Sequence, residues 1–257
     1  MSVETLKPRA LVITGDGINC EAETQTALRL AGFDAEIRHL NDLISDQMQI
    51  DFLSRHYSVL ALPGGFSFGD DLTSGKVLAL KIQHGLGWNL NQYVERGGLV
   101  IGICNGFQAL IRLGLFGKDV SITHNIQGKF QDGWVKITPS GNRCLWLKGL
   151  GTLDVPIRHG EGRIVISSAR KSEVLGKMDR AGMTCLKYEE NPNGSEEKLA
   201  GLCDATGRIF GLMPHPEVFV RWTSHPEWTA QPGRANSPGQ GLAIFENAYQ
   251  EAMRAKG

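Results

Sequence analysis

The stretch from Leu99 to Leu110 constrains the fold more than any other part of the chain. Its apolar first half predicts a short buried strand, and the apolar residues at helical spacing after it predict a helix that follows directly. Cys104 stands on the turn between the two, with Gly102 and Gly106 on either side. A nucleophile flanked by glycines on a strand-to-helix turn forms a nucleophile elbow, so we predict that Cys104 is a nucleophile and not a packing cysteine.

The local chemistry of this turn favours a reactive thiol. The N-terminus of a helix presents unpaired N–H groups and a positive dipole end, which stabilise a thiolate. The flanking glycines are predicted to accept the strained backbone, and the main-chain amide of Asn105 is predicted to donate to the oxyanion that forms when the thiolate attacks a carbonyl. The sequence therefore predicts a site for attack on a carbonyl compound.

The first half of the chain alternates short apolar runs with helical patterns, which predicts parallel strands covered by helices. The predicted strands are 9–14, 35–39, 58–62 and 99–103, with helices over 21–31 and, broken near Gly85 and Gly87, over 72–95. Short alternating segments after residue 117 and a hairpin over 199–213 predict an added antiparallel or mixed portion of the sheet. A closing helix over 241–256 is predicted to be amphipathic and to pack its apolar face into the core; that face carries Leu242, Phe245, Ala248, Tyr249 and Met253. We expect a single α/β domain over 1–257, with a loop-rich insertion at about 221–241.

A glycine-rich loop, 63–70, follows the third predicted strand. Ligands of open α/β sheets bind beyond the carboxyl ends of the strands, and both this loop and Cys104 lie at such ends. The amide of Gly65 is the expected second donor of the oxyanion hole. An ordinary surface turn is the alternative for such a loop.

His215 and Glu217 provide a candidate base and the acid that orients it. They follow a predicted strand as Pro214-His215-Pro216-Glu217, and side chains two apart in extended chain point the same way. The carboxylate would then fix the tautomer of the imidazole, which completes a triad with Cys104. A second pair, His225 and Glu227, has no apolar strand before it and is predicted to lie in a loop.

Composition excludes several classes of function. The 257 residues carry 27 basic and 27 acidic side chains, which argues against broad attraction to nucleic acid or to an anionic membrane. No run reaches the about 18 apolar residues of a membrane span, and 1–8 lacks a secretory signal, so we expect a cytoplasmic protein. The five cysteines form no Cys-x-x-Cys pair, which argues against a disulfide framework and a standard zinc site, and the four besides Cys104 are predicted to be packing residues. The glycines match neither a dinucleotide fingerprint nor a P-loop, so no nucleotide site is assigned.

These motifs together resemble the class I, triad-type glutamine amidotransferases, and within them the glutaminase subunits of phosphoribosylformylglycinamidine synthase. The similar segments span most of the chain and keep the order of that family. They are 63–70, 102–108, 159–163, 191–195 and 214–217. The resemblance implies a flavodoxin-like fold with a central, mostly parallel sheet.

The resemblance also implies a reaction. Cys104 would attack the side-chain amide of glutamine, His215 would protonate the departing ammonia and then activate water, and Glu217 would hold His215 in place. Gln108 and Phe66 would help to seat the substrate. The ammonia would pass to a synthetase that uses ATP and magnesium to convert formylglycinamide ribonucleotide to the amidine, and a small accessory subunit would be a further partner. No cofactor or metal is expected in this chain.

Two departures from the family pattern concern the partner and the region after the triad. Val218 stands where the family usually has arginine, and the segment 221–241 is longer than in compact stand-alone subunits. Two other functions stay open from the sequence. One is a stand-alone cysteine hydrolase or peptidase of similar fold, and the other is a non-catalytic scaffold that only binds a synthetase.

Overall fold

A computed structural model gives the structure of the protein and describes residues 7–70, 72–166 and 169–255. In these ranges the chain forms a nine-stranded sheet and a separate two-stranded sheet, with helices packed against the strands. The strands are β1 (Arg9–Thr14), β2 (Asp34–His39), β3 (Val59–Leu62), β4 (Leu99–Ile103), β5 (Val120–Thr123), β6 (Gln131–Pro139), β7 (Leu153–His159), β8 (Arg163–Ile166), β9 (Leu186–Tyr188), β10 (Leu199–Cys203) and β11 (Ile209–Leu212).

Five parallel strands form one half of the large sheet, in the order β2-β1-β3-β4-β11. Every residue of β3, β4 and β11 is buried. Parallel strands covered on both faces are continuous apolar runs, which is why the sequence revealed them. Their carboxyl ends share one edge of the sheet.

The other half of the sheet is antiparallel and continues as β11-β10-β9-β6-β7. The hairpin of β10 and β11 is the one predicted from the sequence. The small sheet pairs β5 with β8. The structure thus confirms a parallel portion flanked by helices with an antiparallel addition.

Five of the eight helices in the described ranges lie in predicted segments, and the three over 40–45, 50–56 and 171–180 were not predicted. The eight are α1 (Glu21–Ala31), α2 (Leu40–Ser45), α3 (Ile50–His56), α4 (Lys76–Leu80), α5 (Leu90–Glu95), α6 (Asn105–Arg112), α7 (Lys171–Arg180) and α8 (Leu242–Arg254). The predicted break at Gly85 and Gly87 is confirmed, because a π-helical turn over Lys81–Gly85 ends α4 and α5 begins only at Leu90. None of the helices in the described ranges is long and apolar enough to cross a membrane.

The buried stripe of α8 differs from the predicted one near its end. Leu242, Phe245 and Ala248 are buried as expected, but Ala252 is buried in place of Met253, which is only half-buried. Helix α8 packs against α1, where Tyr249 meets Phe33 edge to face at 5.3 Å between ring centroids. The helix therefore belongs to the core, as predicted; the last residue of the predicted helix, 256, lies outside the described residues.

Candidate active site

Cys104 occupies the turn between β4 and α6, as the sequence predicts. Its φ of 50° and ψ of −104° lie in a region that residues with side chains rarely adopt. The surrounding sheet holds this conformation, because the amide of Cys104 donates to the carbonyl oxygen of Leu212 on β11 at 2.8 Å. Strain that is held in this way is typical of functional sites.

The two flanking glycines serve the elbow through their small size. Neither Gly102 nor Gly106 has a positive φ, so the expectation that they accept the strained backbone is wrong; Cys104 itself carries the strain. A Cβ at Gly106 would collide with the carbonyl oxygen of Leu62, and one at Gly102 would lie 2.8 Å from the carbonyl carbon of Gly106. The glycines let α6 lie directly against β3 and β4.

Strand pairing brings His215 to the same edge of the sheet as Cys104. Ile103 and Leu212 are register partners in the parallel pair β4–β11, so the residues just after each strand lie side by side. The amide of His215 donates to the carbonyl oxygen of Pro156 on β7 at 2.8 Å, which fixes the start of the turn. Two residues more than a hundred positions apart thereby meet at one site.

His215 and Glu217 form a buried pair, although not by the predicted route. Nδ1 of His215 lies 2.7 Å from Oε1 of Glu217, and both residues are at most 2% exposed. The backbone is a 3-10 turn over Pro216–Val218 and not extended chain, so the turn, and not strand alternation, brings the two side chains together. The carboxylate accepts from the imidazole at Nδ1, which leaves Nε2 available for chemistry.

The electrostatics of this pair favour a protonated imidazole. Burial alone lowers the pKa of His215, but the Glu217 carboxylate and the neighbouring thiols of Cys104 and Cys20 outweigh it and raise the pKa well above the ordinary value. Within the described residues Nε2 has no hydrogen-bond partner. An imidazolium beside a thiol is the arrangement that activates cysteine nucleophiles.

A cavity of 110 Å³ opens over these groups. Its polar side chains come from the elbow, from the turn after β11, from the end of β7 and from the loop after β1. The lining residues are Asn19, Cys20, Gly65, Phe66, Cys104, Phe130, Arg158 and His215. The thiol and the imidazole therefore face a common space that a small substrate can enter.

Gly65, whose amide is the predicted second oxyanion donor, lines the cavity. Its φ of 144° and its close approach to the backbone of 17–19 exclude a side chain, since a Cβ would lie 2.6 Å from the carbonyl oxygen of Gly17. Gly65 bridges to Ile18, and the amides of Asn19 and Phe66 make the hydrogen bonds of that bridge. The bridge does not use the amide of Gly65.

The side chains of Asn105 and Gln108 hold the loops around the cavity. Asn105 accepts from the amide of Ser67 at 3.1 Å and donates to Asp70 at 3.0 Å. Gln108 accepts from Asn105 at 2.9 Å and donates to the carbonyl oxygen of Glu161 at 2.5 Å. Gln108 does not line the cavity, so its predicted role in seating the substrate would be exerted through these loops, whereas Phe66 borders the cavity directly.

The two polar loops singled out in the sequence pack on each other. Asn193 and Ser195 donate to the carbonyl oxygen of Gly162 at 2.9 and 3.3 Å. On the other side Asn125, which the sequence analysis missed, donates to the carbonyl oxygen of His159 at 2.8 Å and accepts from its Nδ1 at 3.1 Å. Burial, followed by the nearby charge of His215, lowers the pKa of His159 to about 4, so this imidazole is neutral.

Sequence reasoning gave the other four cysteines packing roles. Cys144, Cys185 and Cys203 agree with that expectation, since they are buried with their sulfur atoms within 4.8 Å of one another. Cys20 contradicts the expectation, because it lines the cavity. Arg158 lines the same cavity and was not predicted at all. Neither belongs to a recognisable spacing pattern, so no local signal could have found them.

The second histidine–glutamate pair lies away from the cavity. The ring of His225 stacks on Trp222 at 5.3 Å between centroids and meets Trp134 at 4.6 Å, with Nε2 3.6 Å from Asp154. The surrounding segment consists of three 3-10 turns between 222 and 234. His225 is therefore part of an aromatic cluster.

Comparison with known proteins supplies the family. The model of the CobB/CobQ-like glutamine amidotransferase domain matches residues 7–250. The chain belongs to the glutamine amidotransferases. The amidotransferase is 38% identical over 262 residues to phosphoribosylformylglycinamidine synthase subunit PurQ of Dehalococcoides mccartyi, with 96% of this chain and 99% of the relative covered. It is equally 38% identical to the PurQ subunit of Methanococcus maripaludis, with 95% and 97% covered.

Solved structures agree with these relatives. The amidotransferase matches a chain in the structure of PurLQS from Thermotoga maritima with a TM-score of 0.73 and 30% identity, and the match covers 98% of this chain and 100% of the other. A glutamine amidotransferase from Thermotoga maritima matches with a TM-score of 0.51 and 17% identity over 97% of this chain and 94% of the other, which shows the shared fold alone. By sequence and by fold, the chain is an amidotransferase of the PurQ family.

Proposed function

We propose that this amidotransferase hydrolyses glutamine to glutamate and ammonia and delivers the ammonia to an ATP-dependent synthetase. The synthetase would convert formylglycinamide ribonucleotide to formylglycinamidine ribonucleotide in purine biosynthesis. The single observation that carries the proposal is the convergence of Cys104 and His215 on one cavity, with the nucleophile on a strained elbow and Glu217 buried against His215. The similarity to PurQ subunits supports the choice of pathway.

The geometry supports a two-step hydrolysis. In the first step the Cys104 thiolate forms a bond to the amide carbon, and the resulting oxyanion takes hydrogen bonds from the amides of Gly65 and Asn105. The imidazolium of His215 gives its proton to the nitrogen, the carbon–nitrogen bond breaks, and ammonia leaves behind a thioester. In the second step neutral His215 takes a proton from water, the hydroxide attacks the thioester, and the carbon–sulfur bond breaks, which releases glutamate and restores the thiolate beside the imidazolium.

The mouth of the cavity supports a role for a partner protein. Phe66 and Phe130 line it with half of their surfaces exposed, at 50% and 53%. Large exposed apolar side chains around a site mark a surface that a second protein covers, which fits a synthetase that receives ammonia directly.

The nucleotide of the overall reaction is proposed to bind outside this chain. We propose that ATP and magnesium bind to the synthetase and that this chain works without a cofactor, because its sequence lacks a nucleotide-binding loop. A small accessory subunit is proposed as a further member of the complex. We propose a cytoplasmic location, in keeping with five free cysteines.

Ammonia release from glutamine, with and without the synthetase, tests the proposal. We expect low release by the isolated chain and strong stimulation by the synthetase. Replacing Cys104 with Ala should abolish release but leave binding to the synthetase and synthesis from free ammonia intact. The matched control, Cys144→Ser, removes a thiol outside the cavity and should retain turnover.

Two results would contradict the proposal. Partner-independent hydrolysis of peptides, with none of glutamine, would identify a stand-alone cysteine hydrolase. Binding of the synthetase without any glutamine-dependent ammonia in the complex would identify a non-catalytic scaffold.

A further inference from the structure

Arg158 brings a guanidinium group into the cavity. It is the second-last residue of β7, and its Nη2 lies 3.5 Å from Nδ1 of His215 and 3.6 Å from the sulfur of Cys20. Apart from the imidazole of His215, it is the only cationic side chain among the residues that line the cavity. An incoming ligand therefore meets the positive charge of Arg158 beside that of His215.

No carboxylate in the described ranges lies within 4.0 Å of the Arg158 guanidinium. Other arginines near the sheet are paired, as Arg9 is with Glu36 at 3.2 Å and Arg208 with Glu251 at 2.7 Å. Arg158 is half-buried, and a partly desolvated guanidinium is stabilised when a carboxylate accepts from it. The long contacts to an imidazole and a thiol leave most of its five N–H donors without an acceptor among the described residues.

We propose that Arg158 binds the α-carboxylate of the substrate and thereby selects an α-amino acid amide over other amides. This inference rests on the proposed glutaminase function and adds the residue that recognises the far end of glutamine. A guanidinium matches a carboxylate with two parallel hydrogen bonds, which fixes orientation as well as affinity.

The main chain of Arg158 lies beside the nucleophile. Its carbonyl oxygen lies 3.6 Å from the sulfur of Cys104, so one residue contacts the nucleophile through its backbone and the cavity through its side chain. The amide carbon and the carboxylate carbon of glutamine are separated by four carbon–carbon bonds, or about 5 Å. Cys104 and Arg158 both line the cavity, so one bound substrate would meet the nucleophile with its amide and the guanidinium with its carboxylate.

Covalent labelling of Cys104 in the isolated chain tests the inference without turnover. Azaserine, a diazo analogue of glutamine, keeps the α-carboxylate, whereas iodoacetamide lacks it; the labelled Cys104 peptide is quantified by mass spectrometry. For Arg158→Met we expect labelling by azaserine to slow by about 10- to 100-fold, the loss of a charge-assisted hydrogen-bonded pair, and labelling by iodoacetamide to stay unchanged. Arg158→Lys should recover part of the azaserine rate.

Arg163→Met is the control variant, and glutamine kinetics of the complex with the synthetase are the second assay. Arg163→Met removes a guanidinium that donates to the carbonyl oxygen of Gly194 and does not line the cavity, so it should leave the ratio of the two labelling rates as in the wild type. In the complex with the synthetase, Arg158→Met should raise the KM for glutamine by about the same 10- to 100-fold factor with a much smaller change in kcat.

Equal azaserine rates in the wild type and Arg158→Met would overturn the inference. An equal slowing with both reagents would also overturn it, because Arg158 would then act on the thiol and not on the carboxylate. The proposed function fails separately, if the wild-type chain with its synthetase releases no ammonia from glutamine.

Discussion

Nδ1 of His215 lies 2.7 Å from Oε1 of Glu217, and the buried carboxylate accepts a hydrogen bond from the Nδ1 proton. We expect Glu217→Gln to lower kcat for glutamine by about 10²-fold, because the imidazole loses both its orientation and the charge that raises its pKa. The acidic-to-basic transition of His215 in the pH–rate profile should move to lower pH. Steady-state kinetics across pH, together with a thermal melt to verify folding, measures both effects. A kcat within twofold of the wild type would show that Glu217 only packs.

The two histidine–glutamate pairs should respond differently to the same substitution. His215→Gln should abolish glutamine turnover, since no other described base lines the cavity. His225→Gln should retain turnover but lower the free energy of unfolding by about 1–2 kcal/mol, because the ring stacks on Trp222 and meets Trp134 edge to face. Kinetics and urea unfolding of both variants measure the difference. Equal losses of turnover would mean that the catalytic pair is wrongly assigned.

Gly106 should tolerate no side chain. A Cβ there would strike the carbonyl oxygen of Leu62, a backbone atom that β3 holds in place, so we expect Gly106→Ala to destabilise the fold by about 3 kcal/mol or more. Gly133 on β6 is the control, since a Cβ there meets nothing within 4 Å and Gly133→Ala should stay within about 0.5 kcal/mol. Denaturant unfolding of the two variants compares them directly. Similar unfolding free energies would show that α6 can move away from β3.

His159 should make the fold sensitive to acid. Its pKa falls from the ordinary value of 6.5 to about 4 on folding, so the unfolded chain binds more protons between these pH values. Stability from this residue is therefore present at neutral pH and lost as pH falls through that window, by about 3 kcal/mol in all. We expect His159→Gln to flatten the fall between pH 6.5 and 4, measured as the free energy of unfolding at each pH. An identical slope in both proteins would contradict the burial of a neutral imidazole.

Local patterns predicted the elements that bear the site. The apolar runs of β3 and β4 and the glycines beside Cys104 encode buried parallel strands and a tight turn, and these depend only on neighbours in the chain. The role of the glycines was misread, because the need for space at Gly106 arises from β3, which is more than forty positions away. The route from His215 to Glu217 was misread in the same way, since alternation describes strands and not the 3-10 turn found there.

The sequence by itself determined where a nucleophile, a base and an orienting acid stand and on which kinds of local structure, because backbone periodicity and turn chemistry are properties of short segments. Only the tertiary structure decided that β4 and β11 are neighbours in register, which places Cys104 beside His215. It alone also brought Cys20 and Arg158 into the same cavity. The physical reason is that contacts between distant segments follow from strand order and close packing of the whole core, which no single stretch of residues specifies.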